Sequence, residues 1–226
     1  MSGLDLGYEG VVFDLDGTLI DSVPDLADAV NRMLAAEGRN PLPEGEVALM
    51  VGDGVATLVA RAFDAAGGPP AGDIAPRVAR FIADYEKNAA LRTRPWPHVV
   101  DTLEDLRRSG LRLAVCTNKV RGATVNILDG LGMTSLFDAV VGCDDTPAPK
   151  PDPRHVLVTL DRMGVTPDRA VYVGDSPNDV AAAKAAGVLC VVVSFGYTRV
   201  PPAELGADRV IDDFADLPAA LRDLSA

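Results

Sequence analysis

The chain has 226 residues, 48% of them hydrophobic and only 5% aromatic, and its formal net charge is −12. This length suits one large domain, or a core domain with a smaller insertion, and the composition predicts a sizeable aliphatic core. The negative charge argues against nucleic acid as a partner, so an anionic ligand would need local positive charge or a metal. No segment resembles a signal peptide or approaches the ~20 apolar residues of a membrane span.

Cysteine usage indicates the redox compartment. Cys116, Cys143 and Cys190 do not share a metal-ligand spacing, and Cys116 and Cys190 lie in apolar runs. This is typical of reduced core cysteines in a cytosolic protein. We therefore expect a cytoplasmic protein that binds neither nucleic acid nor membrane. Monomer and homodimer both stay open, because the sequence contains no coiled-coil seam.

The first predicted element is a buried strand over residues 9–14, built from a β-branched run. From residue 22 to about 92 the pattern is then purely helical, with Ser22 as the predicted N-cap of the first helix. Helices are predicted over 23–37, up to Met50, over 55–66 and over 74–91.

The pattern changes after residue 95, where short Val-rich runs alternate with helical spacing. The predicted helices are 98–109, 120–131, 154–163, 177–186 and one from about 215, and the predicted strands are 112–117, 138–141, 170–173, 189–193 and one near Val210. Such alternation is typical of a parallel sheet covered on both faces. The sequence thus predicts an α/β fold with a doubly wound, Rossmann-like core in residues 1–20 and 95–226. A small all-helical cap domain, residues 21–94, is inserted after the first strand, where it would lie over the site as a lid.

Polar residues stand at the carboxyl ends of four predicted core strands, or in the loops that follow them. They are Asp14, Asp16, Thr117, Asn118, Lys119, Lys150, Asp175 and Asp179. Because the carboxyl ends of parallel strands share one edge of the sheet, these groups are expected to converge. Carboxylate oxygens favour a hard cation, here Mg²⁺. An Asp-Gly turn with solvated acids is the simpler explanation for the first pair alone.

This combination of groups suits the transfer of a phosphoryl group. A carboxylate can attack phosphorus and form an aspartyl-phosphate. The metal and Lys150 would neutralise charge on the transferring group, and Thr117 would hydrogen-bond its oxygens. Asp16 would protonate the leaving oxygen and then deprotonate the attacking water.

The same residues resemble the four motifs of the haloacid dehalogenase-like phosphatase superfamily, in order and over essentially the whole chain. The matching positions are Asp14 to Thr18, Thr117, Lys150 and Gly174 to Asp179. The resemblance implies that Asp14 is the nucleophile and Asp16 the general acid and base, with Lys150 and Thr117 also catalytic. It further implies Mg²⁺ held by the Asp14 and Asp175 side chains and the Asp16 main-chain carbonyl, with Asp179 acting indirectly or through a water. An Asp at position 16 points to phosphoryl rather than carbon–halogen chemistry.

Within the superfamily, three segments resemble phosphoglycolate phosphatases. They are Val115 to Lys119, Met50 to Ala62 and Ser194 to Tyr197. The resemblance implies hydrolysis of 2-phosphoglycolate, a small phosphomonoester, to glycolate and phosphate. The residues expected to contact the substrate are Thr117, Asn118, Lys150, Gly52, Asp53 and Gly54. One departure is Trp96-Pro97-His98, where a Tyr/Phe-Pro-Gly turn is expected.

Other functions stay open at this point. They are a sugar- or amino-sugar-phosphate phosphatase, a phosphomutase of the same superfamily, and a non-enzymatic binding protein. Thr18 disfavours the phosphomutase, and the intact acidic and basic set disfavours the binding protein. Thr117 and Asp179 could also simply cap the helices that follow them, and Asp53 could serve a glycine turn.

Overall fold

A computed structural model describes residues 7–88 and 90–225. Its central sheet has six strands: β1 (Gly10–Phe13), β4 (Arg112–Cys116), β5 (Ala139–Val141), β6 (Ala170–Gly174), β7 (Leu189–Val193) and β8 (Arg209–Ile211). Their spatial order is β5-β4-β1-β6-β7-β8, and every pairing is parallel. The predicted α/β fold class is confirmed, and strand β1 lies between β4 and β6.

Helices cover both faces of this sheet. They are α5 (Val99–Arg108), α6 (Arg121–Gly130), α7 (Pro153–Met163), α8 (Pro177–Ala185) and α9 (Leu217–Leu224). Successive side chains of a strand point to opposite faces, and β1 shows this directly. Val11 and Phe13 belong to one buried cluster, whereas Val12 belongs to another together with Cys116 and Cys190. The Val-rich strands are apolar throughout because neither face of the sheet meets water.

The segment between the first strand and residue 94 is helical, as the sequence predicts. It contains α1 (Val23–Ala36), α2 (Glu44–Ala48), α3 (Val55–Ala65) and α4 (Ala75–Asn88). Helix α1 packs on the other three, and Phe63 and Phe81 are buried among them. The prediction for α4 continued through residue 89, which lies outside the described residues. The boundary of the cap domain at residues 21–94 stays a prediction. No helix within the described ranges is long and apolar enough to cross a membrane.

A two-stranded antiparallel ribbon joins the helical segment to the sheet, and the sequence analysis missed it. Strand β2 (Ile20–Asp21) pairs with β3 (Arg94–Pro95), so the chain leaves the core and returns to it side by side. Each strand has only two residues, and one carries a proline, so neither shows a strand pattern. The prediction for Ser22 was also wrong in part. It occupies the N-cap position of α1, but its side chain makes no capping bond and instead contacts Asp16.

Candidate active site

The first two acidic residues lie in a tight loop at the carboxyl end of β1. Leu15 and Leu19 are fully buried and anchor this loop, with the Leu19 amide donating to the Leu15 carbonyl at 2.9 Å. Gly17 takes a φ of +89°, which glycine adopts without strain. The buried leucines therefore hold Asp14 and Asp16 at the edge of the sheet.

Lys150 is the central cation of the site. Its side chain is only 2% exposed. Its ammonium donates to the Cys116 carbonyl (2.9 Å), the Tyr172 hydroxyl (2.8 Å) and Asp179 Oδ1 (2.6 Å). Burial opposes its charge, but Asp14 and Asp179 outweigh burial and raise the pKa of Lys150 above its usual value. Lys150 is thus a fixed positive charge, not a mobile surface lysine.

Asp14 forms an ion pair with this cation. Its Oδ1 lies 2.9 Å from Lys150 Nζ, and this buried atom has no other partner among the described residues. Burial raises the pKa of Asp14 to about 6, although Lys150 acts to lower it. Asp14 is therefore fixed beside a positive charge, and its Oδ1 has no second partner in the described part of the chain.

Asp179 caps a helix, one of the two functions that the sequence analysis considered, and it also contacts Lys150. Its indirect role at a metal stays a prediction. Its Oδ2 accepts from the Ser176 amide at 3.0 Å and from the Ser176 hydroxyl at 2.6 Å, which closes a capping box at the start of α8. Its Oδ1 accepts from Lys150 and contacts the Tyr172 hydroxyl at 2.9 Å. Burial alone would raise the pKa of Asp179, but the Lys150 ammonium lowers it by more. The net shift is therefore downward, and the carboxylate stays ionised. Asp179 therefore anchors both a helix and the lysine.

Asp175 is tightly enclosed by the backbone around it. Its Oδ2 accepts from the Tyr197 amide at 2.7 Å, and Thr18 Oγ1 lies 3.4 Å from Oδ1. A Cβ atom at Gly17 or Gly196 would collide with the Asp175 side chain. Burial, and then the nearby carboxylates, raise the pKa of Asp175 well above its usual value. Because neither glycine has a Cβ atom, the backbone packs closely around the Asp175 carboxylate. The effect of Lys150 on its pKa is smaller than the effects of burial and of the nearby carboxylates.

This acidic cluster fits a divalent cation. One carboxylate oxygen from each of Asp14, Asp175 and Asp179 lies within 4.8 Å of the others. Asp179 is already held by Lys150 and Ser176, whereas the buried Oδ1 of Asp14 has no partner besides Lys150 among the described residues and Asp175 is destabilised as an anion. Buried carboxylates of this kind require a proton or a cation between them. The donor set is entirely oxygen, which is the set that hard cations prefer.

Asp16 stands apart from this cluster and faces the helical segment. Its two carboxylate oxygens lie 3.0 and 2.8 Å from Lys119 Nζ, and the Ser22 hydroxyl donates to Oδ1 at 2.5 Å. Lys119 is nearly buried and lies 4.7 Å above the Tyr85 ring. Asp16 is therefore held between the core, through Lys119, and the entrance to α1, through Ser22.

The residues after β4 have different surroundings. Thr117 is buried, and its hydroxyl accepts from the Lys119 amide at 3.2 Å while lining the cleft. The Asn118 side chain binds two backbone segments. It accepts a hydrogen bond from the Lys150 amide at 2.8 Å and donates to the Lys150 and Gly52 carbonyls. The Asn118 side chain thus fixes the Lys150 loop and the Gly52 turn, and the predicted substrate contact stays untested.

The glycine turn before α3 rests on the core. Asn118 donates to the Gly52 carbonyl at 3.1 Å, and Asn178 donates to Asp53 Oδ1 at 2.7 Å. Asp53 also pairs with Arg61 at 2.6 Å. Gly54 has a φ of +87° and precedes α3. The turn therefore connects the helical segment to two strand-end asparagines, directly beside the acidic cluster.

Between α3, α4 and the strand ends lies a narrow cleft with apolar walls and a polar floor. Its floor includes Asp14, Asp16 and Lys119. The walls come from Leu26, Val55, Leu58, Phe81 and Tyr85. The arrangement can hold a small molecule with its anionic end on the sheet edge and the rest against the helices.

Comparison with known proteins supports this description. Residues 11–193 match the family model for haloacid dehalogenase-like hydrolases. The chain belongs to the haloacid dehalogenase-like hydrolase family. A phosphoglycolate phosphatase from Caulobacter vibrioides is 47% identical over 96% of this chain and 92% of its own. Another from Rhodospirillum rubrum is 48% identical over 92% and 89%.

A solved structure agrees with these relatives. The crystal structure of a predicted phosphoglycolate phosphatase from Haemophilus somnus superposes with a TM-score of 0.89 at 34% identity, covering 95% of this chain and 98% of that one. As a haloacid dehalogenase-like hydrolase, the protein is a phosphatase, and its family and its acidic cluster both imply a divalent metal ion.

Sequence reasoning missed three residues that this hydrolase places at its site. Tyr172 lies in the middle of β6, which the sequence analysis predicted only as a strand, yet its hydroxyl contacts Lys150. Tyr197 was noted only as part of a resembling segment, and Ser22 only as a helix cap. The signal that could have identified Tyr172 is a polar tip in a strand that otherwise contains only Ala, Val and Gly.

Proposed function

We propose that the protein is a Mg²⁺-dependent phosphoglycolate phosphatase that acts through an aspartyl-phosphate. The support is of two kinds. Relatives that carry this name match at 47% and 48% identity over most of their length, and the cleft is small. The observation that carries the chemistry is the Asp14 carboxylate, whose buried Oδ1 lies 2.9 Å from the Lys150 ammonium and has no other partner among the described residues.

In the first half of the proposed reaction, an Asp14 carboxylate oxygen attacks the phosphorus of 2-phosphoglycolate. The bond between phosphorus and the glycolate oxygen breaks, and Asp16 gives its proton to that oxygen, so that glycolate leaves. In the second half, water attacks the aspartyl-phosphate and Asp16 takes back a proton. Phosphate is released and the Asp14 carboxylate is restored.

The surrounding residues stabilise charge and hold geometry. Lys150 lies against Asp14 and would neutralise part of the charge on the phosphoryl oxygens, while the Thr117 hydroxyl would donate to one of them. Asp14, Asp175 and the Asp16 main-chain carbonyl would hold Mg²⁺, with Asp179 supporting the site through Lys150 and Ser176. When bound, the metal neutralises the carboxylate cluster and the phosphoryl charge. The Gly52–Gly54 turn, with Asp53, would border the leaving group.

The test is phosphate release from 2-phosphoglycolate beside a panel of sugar, amino-sugar and nucleoside monophosphates, with Mg²⁺ and with EDTA. We expect kcat/KM to be highest for 2-phosphoglycolate and turnover to stop in EDTA. A flat profile, or a sugar phosphate at the top, would contradict the proposed substrate and keep the phosphatase. Transfer of phosphate between sugar positions without release would identify a phosphomutase.

Asp14→Asn is the matched variant for this experiment. It keeps the shape of the side chain but removes the attacking oxygen, so we expect kcat to fall by about three orders of magnitude or more. Stability should be kept or slightly raised, because one anion of a repelling cluster is gone. Asp161→Asn, on the exposed face of α7, is the control and should leave kcat unchanged. Substantial turnover by purified Asp14→Asn protein would remove Asp14 from its proposed role.

A further inference from the structure

The charge distribution in the cleft raises a question of selectivity. Asp14, Asp16 and Glu86 line it as anions, and Lys119 is the only lysine or arginine among the described residues that line it. A phosphomonoester with an additional carboxylate would bring further negative charge to this surface. It would be repelled unless a cation received that carboxylate.

Lys119 lies where that carboxylate would fall. Its ammonium contacts both oxygens of Asp16 at 2.8 and 3.0 Å. In the proposed reaction Asp16 contacts the oxygen that links phosphorus to the leaving group. In 2-phosphoglycolate the carboxylate carbon is only two bonds from that oxygen. A cation that touches Asp16 is therefore within reach of a carboxylate at this position, and out of reach of one farther along a longer chain.

The helical segment contributes a second polar group at the same place. Tyr85, from α4, lines the cleft, and its ring lies 4.7 Å from Lys119 Nζ. The residue is only 4% exposed, and its hydroxyl, which the Lys119 ammonium can reach as a donor, has no acceptor for its own proton in the described part of the chain. A buried O–H group without an acceptor is costly unless a ligand supplies one. Burial raises the pKa of Tyr85 to about 12, so this group remains a donor at neutral pH.

We propose that Lys119 and Tyr85 form a carboxylate-binding pair that selects phosphomonoesters with a carboxylate next to the ester carbon. Lys119 belongs to the core and Tyr85 to the helical segment, so the pair is complete only when the two lie together as here. The leaving group would then be recognised by one ammonium and one hydroxyl. This inference rests on the proposed function, since it assigns the residues that distinguish 2-phosphoglycolate from simpler esters.

The test compares 2-phosphoglycolate with ethyl phosphate, which has a methyl group in place of the carboxylate. The readout is the ratio of the two kcat/KM values, because any effect of Lys119 on Asp16 lowers both and cancels. We expect Lys119→Met to reduce this ratio about 10- to 100-fold and Tyr85→Phe about 3- to 10-fold. Lys119→Arg, which keeps the charge, should restore part of the ratio.

Arg32 serves as the matched control. It is a partly exposed cation of the helical segment that pairs with Asp84 and does not line the cleft. Arg32→Met should change both substrates alike. An unchanged ratio in Lys119→Met, or a selective loss in Arg32→Met, overturns the proposal. Should Lys119→Met lose activity towards both substrates, Tyr85→Phe decides, because it removes a single oxygen and leaves Asp16 untouched.

Failure of this inference and failure of the proposed function give different results. If wild-type protein does not hydrolyse 2-phosphoglycolate, the proposed substrate is wrong. If it does so efficiently while the ratio is insensitive to Lys119 and Tyr85, the substrate stands and this pair does not select it.

Discussion

Lys150 has three ammonium protons and four oxygen neighbours, so its donors are shared among the Cys116 carbonyl, the Tyr172 hydroxyl, Asp179 and Asp14. At the scale of the single residue these contacts fix the ammonium in one place beside the proposed nucleophile. Tyr172 and the Cys116 carbonyl therefore matter because they hold Lys150 against Asp14.

The buried pair of Lys150 and Asp179 leads to a prediction about stability. Lys150→Met leaves Asp179 buried without its cation, which should lower the free energy of unfolding by about 3–5 kcal/mol. Lys150→Met combined with Asp179→Asn removes the stranded charge and should recover part of that loss, while activity stays absent in both. Urea denaturation of the single and double variants measures this. Equal destabilisation in the two would show that Asp179 does not carry the cost.

His98 leads to a second prediction at this scale. It precedes α5 with a φ of +62°, in the left-handed region that glycine adopts more easily. This is the position where the sequence analysis expected glycine. The histidine found there contacts Asp213 at the surface, with His98 Nδ1 2.7 Å from Asp213 Oδ1. We expect His98→Val to be less stable than His98→Gly by about 1–2 kcal/mol, since a β-branched side chain fits this region poorly. Thermal unfolding compares them, and equal melting temperatures would contradict the argument.

The proximity of the acidic and basic residues could be predicted because each stands at or after the carboxyl end of a strand, and parallel topology brings these ends together. The residues that hold these side chains in position could not be predicted. Asn118 is indistinguishable in sequence from a substrate-binding amide, and only its position between Lys150 and Gly52 shows what its side chain does. Tyr172 and Tyr197 act through hydroxyls whose targets are far away in the chain.

At the scale of the element, the loop after β7 links the acidic cluster to the entrance of the helical segment. The Tyr197 amide donates to Asp175, while its hydroxyl donates to Asp21 Oδ1 at 2.6 Å and accepts from the Ser22 amide at 2.9 Å. Asp21 belongs to β2 and Ser22 begins α1. One residue therefore contacts both a proposed metal ligand and the point where the helices leave the core.

Removal of the Tyr197 hydroxyl should change substrate binding and turnover together. Tyr197→Phe keeps the ring and the contact to Asp175 but frees the β2–α1 junction, so we expect kcat and KM to change jointly, with about 1 kcal/mol lost from stability. Steady-state kinetics with 2-phosphoglycolate measures this. Tyr8→Phe, in a half-buried position away from the site, is the control. Wild-type kcat and KM in Tyr197→Phe would show that the junction does not gate the site.

Most elements could be predicted to within two residues because aliphatic runs and glycine stops mark them. The strand Leu189–Val193 was predicted with the observed bounds. The β2–β3 ribbon could not be predicted, because two-residue strands have no periodicity, and their pairing depends on where the 72 intervening residues bring the chain back. Hydrogen bonds between distant segments, not local propensity, define it.

At the scale of the whole molecule, the acidic cluster links metal binding to pH. The raised pKa values of Asp14, to about 6 from 3.8, and of Asp175 mean that protonation of these groups favours the folded state. In metal-free protein the contribution of Asp14 is present below about pH 4 and is lost as pH rises through about 6, and the contribution of Asp175 has the same sign. Burial lowers the pKa of His155 from 6.5 to about 4, so the folded state disfavours the protonated imidazole. His155 therefore reduces the stability of the protein as pH falls below 6.5.

We therefore expect the increase in stability on adding Mg²⁺, and not the stability of the metal-free protein, to show whether the acidic cluster is ionised. Metal binding needs the ionised carboxylates, so affinity should weaken about tenfold per pH unit below 6 for each displaced proton. The rise in melting temperature on adding Mg²⁺ should be large near pH 8 and small near pH 5. Asp14→Asn should flatten this dependence. A Mg²⁺ effect that is the same at both pH values would exclude these groups as the binding site.

The paired ribbon has a consequence for how the chain could be rearranged. Asp21 and Arg94 are cross-strand neighbours, so a turn of a few residues would span the gap between them. Such a shortcut would delete α1 to α4 without breaking any pairing of the six-stranded sheet. Conversely, a foreign segment whose ends lie close together could be spliced at the same two positions. We therefore expect the helical segment to behave as a replaceable module that supplies the leaving-group wall, with the proposed phosphoryl chemistry carried by residues at and after the strand ends of the core.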